Sequence, residues 1–323
     1  MPATLIVANL RSGGGRTRDV LPVVTNALRR AGHEYDLVVA PTAESAAQLL
    51  AASLRRDGSK FDRVVVLGGD GTINGAINGI VNSGSALPLG IIPCGTGNEM
   101  VRSLGIPKDP EKALRILSQG RECAIDVGVV NGRYFLHIFG LGADVQVVKM
   151  VNTLRARYRL ARNRSVYYLA ALLLLSSGFD PFPVEIEVGD QVFRGKALMI
   201  AAANGRMYGE RLQALPAPSL SDGLLDLYLL QDLGGRRLRK TARLLRRLPL
   251  PELSVQRCPE ATIRLDQRRD AQVDGSLLGP SQVFNLSLLP RRIRVIHPAP
   301  PALAGATRHR AEPARTGEGS PRR

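Results

Sequence analysis

The sequence predicts an α/β N-terminal domain built on a parallel sheet, followed by a β-rich, sandwich-like second domain. Three observations carry that expectation. Short, fully apolar runs alternate with amphipathic segments over the first 120 residues. After Cys123 the texture changes to strand-like runs separated by turn residues. The chain has 323 residues, 44% of them apolar, enough for two ordinary cores.

In the first part, TLIVAN, YDLVVA, RVVVLG and LGIIP read as strands. Helical periodicity falls between them, roughly over 17–31, 43–56 and 72–81. Uninterrupted apolar strands joined by helices belong in a parallel sheet covered on both faces. DPEKALRILSQG at 109–120 adds a helix with Pro in its first turn and Gly past its end. In the second part, AIDVGVVNG, RYFLHIFGLG, VEIEVGD, QVFRGKALMIAAANG, LLDLYLL, ATIRLD and VFNLSLL read as an antiparallel set. Helical segments interrupt it at 154–177 and 235–248. Residues 1–123 therefore form the first domain and 124–288 the second. The short run Arg292–His297 suits either domain on its own pattern. From Pro298, Pro, Ala, Gly and Arg dominate, and 298–323 reads as a disordered tail.

The formal net charge is +16, and the tail accounts for only +3 of it. The remaining basic excess favours an anionic partner: nucleotide, nucleic acid or membrane surface. Aromatics make up 4% of the chain and Trp is absent, which counts against a base-stacking nucleic-acid module. Cys94, Cys123 and Cys258 are widely spaced, with neither a disulfide framework nor a zinc pattern, as in a reducing cytoplasm. The N-terminus reads as a first strand rather than a leader. The longest apolar run, VYYLAALLLL from Val166, falls short of the roughly 20 residues a spanning helix needs. The helix expected over 236–248 carries seven basic residues and no acid, with Leu238, Ala242, Leu245 and Leu248 on one face. It suits either an anionic bilayer, with 155–164 cooperating, or inward packing of its leucines.

The chemistry concentrates in VVVLGGDGTINGAINGI at 64–80. Glycines permit the abrupt passage from strand to helix and let a ligand approach the backbone. Thr72 suits a cap for the following helix, whose amides would attract phosphate. Asp70 would repel phosphate unless it holds Mg²⁺, which bridges phosphate oxygens. Read alone, GGDG fits this role and a plain Asp turn equally well. LGIIPCGTGNEM at 89–100 repeats the arrangement, and NLRSGGGR at 9–16 supplies a third glycine turn. All three follow strands of one parallel sheet, at the edge where open α/β sheets bind ligands. Neither GxxxxGK[ST] nor a clean GxGxxG occurs.

GGDGT followed by GTGN, each behind a strand, resembles the diacylglycerol kinase catalytic domain family, bacterial lipid kinases related to sphingosine and ceramide kinases. The resemblance extends over about 4–297 and includes IDVGVVNGRYFLHIFGLGAD, NGRMYG, SDGLLDL and VDGSLLG. It implies an ATP-binding α/β domain and a lipid-substrate β-sandwich, with 289–297 returning to the first domain. It also implies ATP and Mg²⁺ as cofactors. Asn9, Arg11, Thr42, Gly69, Asp70, Gly71, Thr72, Asn74, Gly95, Thr96 and Gly97 would line the nucleotide site. Arg11 is chemically apt for phosphate, although a solvated loop charge explains it too. Asp222, with the Ser219 and Leu224 carbonyls, would form a structural magnesium site; the same residues suit a simple β-turn. Asp70 and Asp274 would be catalytic, Asp274 by orienting or deprotonating the lipid hydroxyl.

Four departures from the family pattern stand out. Ser276 replaces the Glu of Asp-Gly-Glu, Gly75 a Glu after GGDGTxN, and Glu99 an Asp after GTGN. Glu210 and Arg211 stand where relatives often carry glycines. They leave room for a catalytically weakened nucleotide-binding regulator of the same fold. A GGDGT kinase acting on NAD or a sphingoid base is a further alternative, although NAD kinase differs from GTGNEM in its second motif. The expected partners are a lipid at the membrane surface, an anionic bilayer through 236–248 and no nucleic acid, with a homodimer also compatible. The expected location is cytoplasmic, peripheral at the inner membrane face.

Overall fold

The computed structural model describes residues 3–157, 170, 174, 179–204, 219–234, 239, 240, 243 and 250–298. Most of the helix expected over 236–248 and of that over 154–177, the NGRMYGER stretch after Asn204 and nearly all of the tail lie outside the described residues.

The first lobe begins β1 (Ala3–Ala8), α1 (Arg16–Arg30), β2 (Glu34–Val39), α2 (Ala43–Asp57), β3 (Arg63–Gly68), α3 (Asp70–Ser83) and β4 (Leu89–Pro93). Strands β1 and β4 are buried along their whole length, and β3 nearly so. Such strands cannot alternate polar and apolar residues, which is why they read as continuous apolar runs. β1 pairs in parallel with β2 and β3, and β3 in parallel with β4. Two short helices follow, α4 (Glu99–Ser103) and α5 (Pro110–Gln119), the latter capped by the Asp109 side chain on the Lys112 N–H at 2.9 Å.

The second lobe contains β5 (Arg121–Val130), β6 (Arg133–Phe135), β7 (Ile138–Gly142), α6 (Ala143–Arg157), β8 (Phe182–Val188), β9 (Gln191–Ala203), β10 (Leu225–Gln231), β11 (Leu253–Cys258), β12 (Glu260–Val273) and β13 (Ser276–His297). β9 and β12 are long and change partners along their length. Each pairs with β8 at one end and β7 at the other, closing a ring of antiparallel pairs. Inside it Phe139 and Phe284 meet with ring centroids 5.4 Å apart. A separate apolar core fills the first lobe.

β13 joins the lobes. Its first half pairs with β12 and its second half with β5, and Val295 pairs in parallel with Leu89 of β4. The chain bends between Leu289 and Ile293, where the register shifts and Arg291 takes φ 49°. Past the bend, the Arg292 guanidinium donates to the carbonyls of Ser85 (3.2 Å) and Val81 (3.3 Å), at the end of α3. A cation there is favoured by the negative end of the helix dipole.

One helix extends beyond the sequence reading, and another follows it. Residues 143–157 form α6, although ADVQVVKMVN alternates like a strand at its start. The helix start expected after GTGN is the single-turn α4, residues 99–103. Among the described residues no helix is long and apolar enough to cross a membrane.

Candidate functional site

The three glycine turns interlock at the carboxyl edge of β1, β3 and β4. Gly13 sits at φ 62°, and a Cβ there would collide with the Cys94 carbonyl. A Cβ on Gly69 would lie 3.1 Å from the Gly95 Cα. A Cβ on Gly95 would strike Gly69 in return and lie 2.7 Å from Asn98 Oδ1. The Gly68 carbonyl accepts from the Cys94 N–H at 2.8 Å and the Gly95 N–H at 3.2 Å. The missing side chains therefore serve close backbone approach first. Burial pushes the Cys94 thiol up, so it lies beneath the loops as a neutral group.

The polar residues of the rim follow from this frame. Asn9 Oδ1 accepts from the Arg11 N–H at 2.9 Å, and Asn9 Nδ2 donates to the Pro41 carbonyl at 3.3 Å, joining the ends of β1 and β2. Thr42 caps α2 through a reciprocal bond with Ser45. Arg11, Thr42, Gly71 and Thr96 are exposed along the same rim. Asp70 opens α3, and its Oδ1 accepts from the Met100 N–H at 3.2 Å, linking the second loop to the third. Thr72 is not the cap. The helix starts two residues earlier with Gly69 as N-cap, and Thr72 is buried under Gly68 with its hydroxyl 3.5 Å from that of Ser12.

Gly75 has a steric explanation. A Cβ there would overlap the Ala43 carbonyl oxygen and lie 3.0 Å from Ala46 Cβ. Helices α2 and α3 pack so closely that the family's Glu has no space at this position.

Asp274 sits in the turn between β12 and β13 at φ 47°. Its Oδ2 accepts from Asn74 Nδ2 (2.7 Å) and the Leu136 N–H (2.8 Å). Its Oδ1 accepts from the N–H groups of His137 (2.9 Å) and Ile138 (3.0 Å). Asn74 and Asn78 also donate to the Tyr134 carbonyl, at 3.4 and 3.2 Å. The catalytic carboxylate expected from sequence is thus held by four donors, one of them from α3. Ser276 is exposed at the start of β13.

Asp222 pairs with the Arg257 guanidinium, which also reaches Asp226 Oδ1 at 3.3 Å. Asp222 Oδ1 accepts from the Leu224 N–H at 3.2 Å, and the Ser219 hydroxyl accepts from the Ser221 N–H at 3.2 Å. Among the described residues no group of three His, Cys, Asp or Glu side chains could hold a metal ion. A guanidinium neutralises this carboxylate, and it would have to give way for the Mg²⁺ that the resemblance implied to bind there. Burial raises the pKa of Asp226, against which Arg257 acts.

Sequence reasoning missed the residue that orders the 219–224 turn. Asp126 is fully buried in β5. Its carboxylate accepts from the N–H groups of Gly223 (2.8 Å) and Arg291 (2.7 Å), while its own N–H donates to Leu220. Asn204 Nδ2 donates to the Asp126 carbonyl at 2.9 Å. The signal available was an acid inside an otherwise apolar strand, AIDVGVV, which a buried carboxylate must explain by its hydrogen bonds.

Comparison with known proteins fits this architecture. Residues 3–130 match the diacylglycerol kinase catalytic domain, and 138–297 match the YegS C-terminal NAD kinase beta sandwich-like domain. A diacylglycerol kinase of Bacillus subtilis is 31% identical over 72% of this chain and 74% of its own length. One from Staphylococcus haemolyticus is 28% identical over 91% and 87%. The crystal structure of a diacylglycerol kinase from Bacillus anthracis superposes with a TM-score of 0.68 at 22% identity, covering 91% of this chain and 96% of that one. The fold and the paired domain matches define a lipid kinase. The chain belongs to the diacylglycerol kinase family.

Proposed function

We propose that the protein transfers the γ-phosphoryl group of ATP to a hydroxyl of a membrane lipid, diacylglycerol or a close relative. The observation that carries the reading is the interlock of the three glycine turns around Gly13, Gly69 and Gly95, with Asp70 beside them. Backbone nitrogens at such a rim, together with the start of α3, would hold triphosphate oxygens. Arg11 and Thr42 on the exposed rim would flank the phosphates, Arg11 as a charged donor. Asn9, Gly71, Thr72, Thr96 and Gly97 complete the proposed nucleotide surface, some of them by shaping its loops, while the Asn74 side chain turns away to Asp274 and Asn78. The Mg²⁺ that accompanies the nucleotide would be met by Asp70, since Mg²⁺ commonly takes one or two carboxylates alongside phosphates. Residues 1–123 with 289–297 would form the nucleotide domain and 124–288 the lipid domain. The reaction needs positioning and charge neutralisation more than covalent chemistry from the protein.

The test is labelled-ATP phosphorylation of diacylglycerol, ceramide, sphingoid base and phosphatidylglycerol in mixed vesicles. Diacylglycerol is expected to be labelled, and Asp70→Asn is expected to lose turnover by at least about 10²-fold with the fold intact. ATP bound but not consumed with every acceptor would replace the reading by a nucleotide-binding regulator. Wild-type turnover by Asp70→Asn would remove Asp70 from the site.

A further inference from the structure

We infer that Asp274 is a positioning residue: its carboxylate latches the phosphate-loop helix α3 to the second lobe instead of taking a proton from the acceptor. The inference rests on the lipid-kinase reading for its kinetic consequence, but not for the latch itself.

An ionised carboxylate offers about four acceptor positions. Asp274 uses four, on Asn74 Nδ2 and the N–H groups of Leu136, His137 and Ile138, all between 2.7 and 3.0 Å. A proton arriving from a hydroxyl would have to displace one of these donors. Three of them are consecutive main-chain amides entering β7, so the carboxylate binds as an anion in a concave backbone nest. The turn is fixed from its other side as well: the Asp274 N–H donates to the Ile138 carbonyl at 2.9 Å, and the Gly275 N–H to Gln272 Oε1 at 2.8 Å.

The fourth donor turns this local anchor into a connection between lobes. Asn74 lies one helical turn beyond Asp70 on α3. Its neighbour on that face, Asn78, donates to Asn74 Oδ1 at 3.0 Å and to the Tyr134 carbonyl at 3.2 Å. Asn74 Oδ1 is thereby committed, which directs its amide nitrogen to Asp274. The helix that begins at the glycine rim is tied through two asparagines to the strand entrance at 134–138. Because Asp70 and Asn74 share one rigid helix, the latch sets where the second lobe stands relative to the phosphate rim. Orientation of this kind contributes to turnover, and small displacements are costly.

The experiment compares the full chain with Asn74→Ala, Asp274→Asn and the double variant. Amide hydrogen exchange is followed first, without substrate. Asn74→Ala leaves the nest itself intact. It is expected to raise exchange about tenfold or more both in 70–78 and in 134–138, two segments on opposite sides of the latch. Exchange unchanged in 134–138 would overturn the latch, whatever the protein phosphorylates. Turnover is measured second, with Mg–ATP and diacylglycerol vesicles. Both single variants are expected to lower kcat by about 10- to 100-fold, with the KM for ATP changed less than about threefold. The double variant should fall no more than about threefold below the worse single one, since both cut one connection. If Asp274→Asn instead loses about 10³-fold or more while Asn74→Ala keeps its turnover, Asp274 acts as the base and the inference fails. Should Asp274→Asn not fold, the Asn74→Ala exchange result decides alone. A chain that labels no lipid yet shows the paired exchange change keeps the latch and loses the kinase reading.

Discussion

Replacing Gly75 by Ala should destabilise this protein, although the same change in an ordinary helix would stabilise it. Gly75 lies within α3, where Ala is favoured over Gly by about 1 kcal/mol. A Cβ there would meet Ala46 Cβ and the Ala43 carbonyl carbon, both at 3.0 Å, and would overlap the Ala43 oxygen. Carbon atoms settle at about 3.5–4.0 Å, so α2 and α3 must part by roughly 0.5–1 Å. Neither neighbour is the far end of a flexible side chain. Overpacking of this kind costs about 1–3 kcal/mol, which exceeds the propensity gain over most of its range. The net expectation is a loss of up to about 2 kcal/mol. Gly58 provides the opposite case. Its φ of −58° and ψ of −32° are helical, and no heavy atom lies within 4 Å of a Cβ there. Gly58→Ala should gain about 0.4–1 kcal/mol through the unfolded state. Urea unfolding of the two variants beside wild type reads the signs directly. A midpoint raised by Gly75→Ala as it is by Gly58→Ala would refute the packing argument. Gly75→Glu, which restores the family's residue, should cost at least as much as Gly75→Ala and should not raise turnover.

Gly95→Ala pushes against the Gly69 backbone and Asn98, so it should weaken ATP binding by about tenfold or more in calorimetry while leaving the second lobe's exchange pattern unchanged. Chelation with EDTA should leave the thermal midpoint of wild type unchanged. Arg257→Met should cost about 3 kcal/mol, because Asp226 is left buried beside Asp222. That deficit should shrink as pH falls, since a protonated Asp226 needs no cation; a midpoint that drops with EDTA would return the turn to a metal. Burial holds the Cys258 thiol at about 11 against an ordinary 9.0. The unfolded chain therefore ionises first: the stabilisation is complete below pH 9 and is lost by about pH 11. It amounts to about 2–3 kcal/mol. Cys258→Ala should flatten that slope in denaturant midpoints taken from pH 8 to 11; an unchanged slope would assign it to other groups, Tyr228 among them, whose pKa burial also raises.

The features most legible in the sequence are those set by local physics. β1, β3 and β4 are buried on both faces, and their unbroken apolar runs follow from that. The three glycine turns were recognisable because leaving a strand for a helix so abruptly restricts the residues allowed. What the sequence obscured depends on distant partners. Thr72 has the chemistry of a cap, but the turn tightens because Gly68 and Gly95 approach so closely, and α3 starts at Asp70. VFNLSLL and RIRVIH look like separate strands around Leu289–Arg291, yet β13 runs through them by bending there. Arg291 adopts positive φ at that bend, and its N–H is fixed by Asp126, 165 positions earlier.

The same distinction decides how carboxylates are to be read. Asp70, Asp222 and Asp274 adjoin glycines at turns and Asp126 lies inside an apolar strand, and residue type alone gives each a claim to chemistry. Their hydrogen-bond partners separate them. Asp126 and Asp274 accept mainly from main-chain amides and so hold segments of the chain in place. Asp222 faces a guanidinium. Asp70 alone of the four stands at the start of a long helix on the glycine rim, with one of its oxygens on an amide of the neighbouring loop. A reaction that depends on charge neutralisation at phosphate needs a carboxylate there, where nucleotide can reach it. Of the other three, Asp274 ties the helix of that rim to the second lobe, Asp126 fixes the 219–224 turn and the β13 bend, and Asp222 answers a guanidinium.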